Sequence, residues 1–388
     1  MNKINYLDGL RGLAALIVVF SHYVRGFYPG VYENNPKKVH LQPEIEYYFS
    51  QFPFSMFYAG NYAVCIFFIL SGYVLSYKFF KYNGEFTLIP AIVKRYFRLV
   101  IPIFFVLIMS YVFVEMEFYF NKEVSDITLS SRWLALLWQI EPNFWDVINQ
   151  TIYGVFIFGK ESYNAVLWTL KYEFYGSILV FSILAFLGHS NKRFFLYLIL
   201  GIVFIKTYYI AFILGVFLSD VYNSKTDYNF KKFFIIKSKS ILCFMFLLSI
   251  FFGTYDEKRS NIHQYLKWGL FDYLGINQAI FFHIIAAFLI MVMILNSKIL
   301  QKTFESTPFK FLGQLSYSIY LLHLIFLGSL SCYLFKLFYK FGISYNISFL
   351  YSFILSFTAL IFISYLMYKY VDLNGIRFSK YLTGKFFK

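Results

Sequence analysis

The stretch that decides the fold is Tyr6-Leu-Asp-Gly-Leu-Arg-Gly-Leu-Ala-Ala-Leu-Ile-Val-Val-Phe-Ser-His-Tyr23. It is long and apolar enough to cross a lipid bilayer, yet it contains Asp8, Arg11 and His22. A charged side chain at the centre of a membrane helix costs at least about 2.5 kcal/mol, so such residues usually face the protein interior or a water-filled cavity. The sequence therefore predicts a membrane helix with a polar stripe.

The three polar residues share one side of this helix. Arg11 and His22 are eleven residues apart, close to three turns at about 100° per residue, and Asp8 lies within about 60° of both. His22 is roughly 16 Å further along the helix axis than Arg11. Because Asp8 and Arg11 interrupt the apolar run, we expect the helix to be retained and not cleaved as a signal peptide. A helix-end ion pair between Asp8 and Arg11 is an alternative interpretation.

The composition identifies an integral membrane protein. Hydrophobic residues make up 59% of the 388 residues and charged residues 14%, against about 25% in soluble domains. The mean hydropathy is +0.60. Cys65, Cys243 and Cys332 are odd in number and scattered, which predicts free thiols and no metal site.

Apolar segments of spanning length recur along the chain and predict an all-α bundle of about ten transmembrane helices, with both termini in the cytoplasm. The segment 116–163 has polar ends around an apolar stretch that is broken at Pro142. We interpret it as an external segment with an interfacial or re-entrant helix. The predicted spans lie near residues 7–27, 59–80, 96–115, 164–188, 194–221 (two short helices), 240–254, 271–295, 312–337 and 346–370.

The distribution of basic residues orients this bundle. The predicted inner loops hold 20 Lys and Arg residues, whereas the outer loops, which are longer in total, hold nine. This positive-inside bias explains the net charge of +15 with the lipid bilayer as partner and without nucleic acid. No long hydrophilic stretch remains, so residues 1–388 are expected to form a single membrane domain with no appended soluble domain.

Three cations, Lys94, Arg95 and Arg98, lie at the inner start of the third predicted span, before Pro102. Arg95 and Arg98 are neighbours at i and i+3 on a helix, and a proline can open the helix beside them. Such a cluster suits a phosphorylated ligand that arrives from the cytoplasm. Anchoring of the helix end by the positive-inside rule is the alternative.

Glu173 is the acidic residue of the span that enters from the outer side after Trp168. It lies roughly 13 Å from the start of that span, a depth comparable to that of His22. A carboxylate and an imidazole at one depth are a candidate acid and base pair. Charge balance with Lys171 is the alternative interpretation.

Four more polar residues are candidates for supporting roles. Arg25 follows His22 by one turn toward the outer surface. Tyr320 and His323 share a helical face on the ninth span. Ser71 on the second span is a small residue whose default role is helix packing.

These segments, in this order, resemble the acyltransferase 3 family of bacterial membrane acyltransferases, which modify surface polysaccharides and other glycans. Residues Tyr370-Val-Asp-Leu-Asn374 depart from the Val-Glu-x-Pro that the family often has at this place. The likeness rests on five blocks: Leu7-Asp-Gly-Leu-Arg-Gly with ten residues between Arg11 and His22, Phe67-Phe-Ile-Leu-Ser-Gly-Tyr73, Arg95-x-x-Arg98, Leu167-Trp-Thr-Leu-x-x-Glu173, and Ser316-Tyr-Ser-Ile-Tyr-Leu-Leu-His323.

The resemblance implies transfer of an acyl group, most often acetyl from cytoplasmic acetyl-CoA, and no permanently bound cofactor. The acceptor would be a hydroxyl of a surface or lipid-linked glycan, such as lipopolysaccharide or capsule, outside a bacterial inner membrane. His22 would act as base or transient acyl carrier, aided by Asp8, Arg11 and Glu173. The CoA phosphates would meet Lys94, Arg95 and Arg98, and Trp168 would stack on a sugar, with Arg25, Ser71, Tyr320 and His323 in support.

A transporter or flippase of a glycan or acylated small molecule is the alternative function. A polar stripe through a helix bundle also describes a substrate pathway, and many transporters contain two related halves. The sequence shows no internal repeat of this kind. An acyltransferase is therefore favoured.

Overall fold

The computed structural model is built from helices and turns, and the described part of the chain contains no β-strand. The predicted all-α fold is therefore confirmed. Both chain ends and the predicted loops 78–98, 222–239 and 255–270 lie partly outside the described residues. The structure describes residues 4–82, 84, 86–225, 231–256, 263–266 and 268–386.

Seven helices in the described ranges are long and apolar enough to cross a membrane, and three shorter apolar helices lie between them. The chain is thus a multi-pass membrane protein. The count of ten crossings and the cytoplasmic position of both termini stay predictions. In chain order the helices are α1 (Asn5–Phe27), α2 (Gly60–Tyr82), α3 (Leu88–Glu115), α4 (Trp168–Leu187), α5 (Arg193–Val203), α6 (Tyr209–Asn223), α7 (Lys239–Gly253), α8 (Gln278–Asn296), α9 (Thr307–Lys340) and α10 (Tyr345–Phe386).

Helices α5 and α6 form a hairpin, as predicted for residues 194–221. The start of α5 is joined to the end of α6 by an ion pair in which Arg193 Nε lies 2.5 Å from Asp220 Oδ2. At the turn between the two helices, the Tyr208 hydroxyl donates to Asn61 Oδ1 at 2.8 Å, next to the first residue of α2. The Arg193 guanidinium lies over Phe80, near the other end of α2. The hairpin therefore runs along most of the length of α2 and back.

Helices α1 and α9 touch through their backbones. A Cβ atom on Gly313 would lie 2.2 Å from the backbone oxygen of Asp8, and one on Gly12 would lie 2.7 Å from the backbone nitrogen of Gly313. Small residues allow this close approach between membrane helices. The contact sets the register in which the polar stripe of α1 faces α9.

Helices α2 and α6 make a second contact of the same kind. A Cβ on Gly72 would lie 2.2 Å from the backbone oxygen of Phe212, and a Cβ on Gly215 would lie 2.2 Å from that of Ile69. Gly72 follows Ser71 in the sequence, so the tight contact fixes the side of α2 on which Ser71 lies. The packing role expected for this stretch is present.

The segment 116–163 contains only short helical pieces: Asn121–Ser125, Leu134–Leu136, Phe144–Asn149 and a π-helix over Gln150–Phe158. A full membrane crossing needs about 20 residues, and each of these pieces is shorter. The external or re-entrant position of the segment stays a prediction. The segment docks on α9 at the π-helical turn Leu327–Ser331, where Gly328 O accepts a hydrogen bond of 2.9 Å from the backbone nitrogen of Phe120.

We expect Gly313→Ala to destabilise the protein because the added methyl group meets backbone atoms of α1 that cannot move away. Overpacking of this kind costs about 1–3 kcal/mol. The variant should aggregate at a lower temperature than the wild type when detergent-solubilised protein is heated and analysed by size-exclusion chromatography. Gly201→Ala is the matched control, since no atom lies within 4 Å of its added Cβ. Equal aggregation temperatures for the two variants would contradict the contact.

Candidate active site

Glu173 on α4 is held by an arginine and a serine from two other helices. Arg95 on α3 makes an ion pair with Glu173 through Nη2, and its Nε donates to Ser177 Oγ at 2.9 Å. Ser71 on α2 donates to the same carboxylate oxygen at 2.6 Å. The Arg95 and Glu173 side chains are only 11% and 13% exposed. Helices α2, α3 and α4 therefore meet at a nearly buried polar centre, which we call the ionic cluster.

The polar stripe of α1 reaches the ionic cluster. Arg11 Nη1 lies 3.2 Å from Asp8 Oδ1, so the ion pair that was the alternative interpretation of these residues is present. Arg11 also interacts electrostatically with Glu173 and Arg98. Arg11 on the stripe is thus within electrostatic range of Arg98 on α3 and of Glu173 on α4.

Two of the three cations predicted to meet a phosphorylated ligand are exposed. Lys94 and Arg98 lie at the surface, and neither forms an ion pair with a described residue. Lys94 has Lys78 and Lys380 as electrostatic neighbours, so positive charge is concentrated there. Arg95, in contrast, points inward to Glu173. The motif therefore divides into one structural arginine and two accessible cations.

His22 is paired with His323, and no direct contact joins it to Glu173. His22 Nδ1 lies 3.0 Å from His323 Nε2 and 3.0 Å from Val18 O. His323 is fully buried, and its Nδ1 lies 2.7 Å from Tyr320 O. We call His22 and His323 the histidine pair.

The expected acid and base pair of His22 and Glu173 is therefore not assembled as a contact. The position of a residue along its own helix gives its depth in the membrane. Contact between two residues at one depth also requires that their side chains point toward each other. A carboxylate in a low-dielectric interior is better stabilised by a cation than by a neutral imidazole. Glu173 accordingly lies against Arg95.

A tryptophan from the outer segment 116–163 covers His22. The rings of Trp133 and His22 are stacked, with centroids 5.6 Å apart and planes at 18°. The guanidinium carbon of Arg25 lies 4.8 Å from the Trp133 ring centroid, within cation–π distance. Ser130 donates to Arg25 O at 3.0 Å and holds the segment at the end of α1.

Trp133 and Ser177 are site residues that the sequence analysis missed. Trp133 begins the apolar stretch of the outer segment, and this position was its only signal. Ser177 follows Glu173 by four residues and so shares its helical face, which is a signal that was available.

Tyr320 ties α9 to the start of α4. Its hydroxyl lies 2.7 Å from Thr169 Oγ1 and donates to Val166 O at 3.0 Å. The residue is buried, and its ring centroid is 5.9 Å from that of His323. Tyr320 thus connects the histidine pair to the helix that bears Glu173.

Trp168 packs among tyrosines at the start of α4. Its ring centroid lies 5.8 Å from that of Tyr172 and 5.6 Å from that of Tyr208. In the preceding loop, partial burial raises the pKa of Glu161, and a hydrogen bond to the backbone of Trp168 opposes this shift. The stacking of Trp168 on a sugar stays a prediction.

The site therefore has two parts along α1. Arg11 lies within electrostatic range of the ionic cluster, and the histidine pair lies about 16 Å further along the helix axis. The first part concentrates charge, whereas the second offers neutral imidazoles for proton transfer. The described ranges contain no group of three His, Cys, Asp or Glu side chains that could hold a metal ion.

Comparison with known proteins gives one family and one curated relative. A family model described as an acyltransferase domain, the acyltransferase 3 model, matches residues 4–369. The O-acetyltransferase PaAT-1 of Phomopsis amygdali is 23% identical over 445 aligned positions, which cover 98% of this chain and 84% of that protein. No solved structure gives a significant match. The family match begins within one residue of the start of α1 and includes every helix up to the middle of α10.

We expect Glu173→Leu to destabilise the protein by about 3–5 kcal/mol, because it leaves the Arg95 charge nearly buried without its carboxylate. The double variant Arg95→Leu with Glu173→Leu should recover much of this loss, since an apolar pair needs no charge partner. The measurement is the aggregation temperature of the detergent-solubilised variants.

Lys160→Ala is the control for this experiment. It removes the exposed ion pair with Asp146, whose atoms are 3.5 Å apart, and should change stability by less than about 1 kcal/mol. A double variant that is as unstable as Glu173→Leu would show that Arg95 and Glu173 do not stabilise the bundle as a pair.

Proposed function

Because the chain belongs to the acyltransferase 3 family and is a membrane-bound acyltransferase, we propose that it moves an acetyl group from cytoplasmic acetyl-CoA to a glycan. The acceptor is a hydroxyl of a cell-surface or lipid-linked polysaccharide outside a bacterial inner membrane. The observation that carries this proposal is the arrangement along α1, with exposed cations near one end of the polar stripe and the histidine pair about 16 Å away from Arg11.

Charge at the inner end of the stripe supports acetyl-CoA as donor. Lys94 and Arg98 are exposed, and Lys78 and Lys380 add positive charge near Lys94. Phosphate groups bind well to such clusters through charge-assisted hydrogen bonds. We assign the binding of the CoA phosphates to Lys94 and Arg98, and the orientation of α3 against α4 to Arg95.

The histidine pair supports general-base chemistry at the acceptor. His22 takes the proton of the acceptor hydroxyl, and the oxygen attacks the carbonyl carbon of the thioester. The bond between carbon and sulfur then breaks, and the CoA thiolate receives the proton from His22. The products are the glycan ester and free CoA. Transient acylation of His22 is the alternative course.

The name of the relative supports transfer of acetyl to an oxygen, since PaAT-1 is an O-acetyltransferase. The outer segment supports an acceptor outside the membrane, because it brings Trp133 onto His22. Mass spectrometry of the surface glycans from a strain that lacks the gene would test the acceptor. An unchanged glycan profile, together with solute movement by the purified protein and no acetyl transfer, would favour the transporter.

We expect His22→Ala to abolish acetyl transfer while the protein still inserts and accumulates. Loss of a general base typically lowers the rate by about 10²–10⁴-fold. The measurement is transfer of radiolabelled acetyl from acetyl-CoA to a glycan extract by protein in liposomes. His189→Ala is the control, since His189 is exposed between α4 and α5. Full activity of His22→Ala would exclude a catalytic role.

We expect Arg98→Ala to raise the apparent KM for acetyl-CoA about tenfold with little change in kcat, since one charge-assisted hydrogen bond is worth about 1.5 kcal/mol or more. Steady-state kinetics with varied acetyl-CoA measures this. Arg377→Ala is the matched control, because Arg377 is exposed and bonds only weakly to Asn374, at 3.4 Å. An equal KM for acetyl-CoA in both variants would show that Arg98 does not bind the donor.

A further inference from the structure

We propose that His323 is a positioning residue that holds the proton of His22 on Nδ1 and thereby leaves Nε2 of His22 as the nitrogen that accepts the substrate proton. The role of His323 in catalysis rests on the proposed function. The placement of the protons follows from the hydrogen-bond partners alone.

The tautomer of His323 is set by backbone carbonyls. Its Nδ1 lies 2.7 Å from Tyr320 O and 3.2 Å from Ile319 O. A carbonyl oxygen only accepts, so this nitrogen must carry the proton. A neutral imidazole has a single N–H group, and Nε2 of His323 is therefore an acceptor.

Two acceptors, Val18 O and Nε2 of His323, set the tautomer of His22. Its Nδ1 lies 3.0 Å from Val18 O and 3.0 Å from Nε2 of His323, and both of these atoms are acceptors. The proton must therefore be on Nδ1, because the other tautomer would place a lone pair against two acceptors. Nε2 of His22 keeps its lone pair and has no hydrogen-bond partner among the described residues.

The surroundings of the pair hold this arrangement in place. His323 is fully buried and has no exposed surface through which water could replace His22. The hydroxyl of Tyr320, one turn before His323, is bound by Thr169 and Val166 of the neighbouring segment. Trp133 stacks on the His22 ring and restricts its rotation. The lone pair of Nε2 thus has a defined direction.

The pair also stabilises His22 after it has taken a proton. The bond from Nδ1 of His22 to Nε2 of His323 then has a charged donor, and such bonds are roughly twice as strong as neutral ones. The positive ring also lies against the face of Trp133, where a cation is favoured. His323 thereby takes the orienting part that a carboxylate takes in serine hydrolases.

Two substitutions of His323 distinguish the effect of losing its hydrogen-bond acceptor from the effect of losing its ring. Glutamine places its terminal amide near the position of Nε2, so its oxygen can accept from His22. Asparagine is shorter and reaches only the position of Nδ1, which leaves His22 Nδ1 with Val18 O as its remaining acceptor. We expect His323→Asn to lower kcat by about 100-fold or more, with an unchanged KM for acetyl-CoA. His323→Gln should stay within about tenfold of the wild-type kcat, and His189→Asn is the control.

Nitrogen NMR of ¹⁵N-histidine-labelled protein in lipid nanodiscs tests the tautomer without any reaction. The His22 signal is identified by its loss in His22→Ala. We expect a protonated Nδ1 and a bare Nε2 in wild type and in His323→Gln. In His323→Asn the other tautomer should become more populated, because Val18 O is then the one of the two acceptors that is left at Nδ1. A proton on Nε2 in the wild type would overturn the proposal, as would wild-type kcat in His323→Asn. The expected tautomer with no acetyl transfer by the wild type would support the positioning role and refute the proposed function.

Discussion

The backbone contact between α1 and α9 at Gly12 and Gly313 is the interaction on which the site depends. Because no side chain separates the two helices there, their relative rotation and height are fixed. One consequence is the histidine pair, whose members come from these two helices. The other is that the start of the α1 stripe, with its Asp8–Arg11 ion pair, lies within electrostatic range of the ionic cluster.

The two parts of the site stabilise polar side chains within the membrane domain in different ways. The ionic cluster balances the charge of Glu173 with that of Arg95, and the nearby Asp8 and Arg11 of α1 balance each other. In the histidine pair, Nδ1 of each ring lies within hydrogen-bond distance of a backbone carbonyl. This division suits the proposed reaction, because a charged donor needs cations where it binds, whereas a proton acceptor must be neutral before it acts.

Segment 116–163 covers the histidine pair on one side. It is held to α9 at Gly328 and to the end of α1 at Ser130. Through these contacts it brings Trp133 onto His22. An acceptor that approaches from the outer side would therefore meet this segment first, which is where we expect the choice of glycan to be made.

The sequence by itself determined the class of fold, the positions of the apolar helices and the in-phase spacing of Asp8, Arg11 and His22, because these follow from hydrophobic length and helical period. The sequence motifs by themselves also point to the family. Tertiary structure alone decided the partners: Arg95 for Glu173, His323 for His22 and Trp133 above the pair. Helical period gives the face of a residue on its own helix, whereas a partner depends on how neighbouring helices are rotated, and glycine contacts set that rotation.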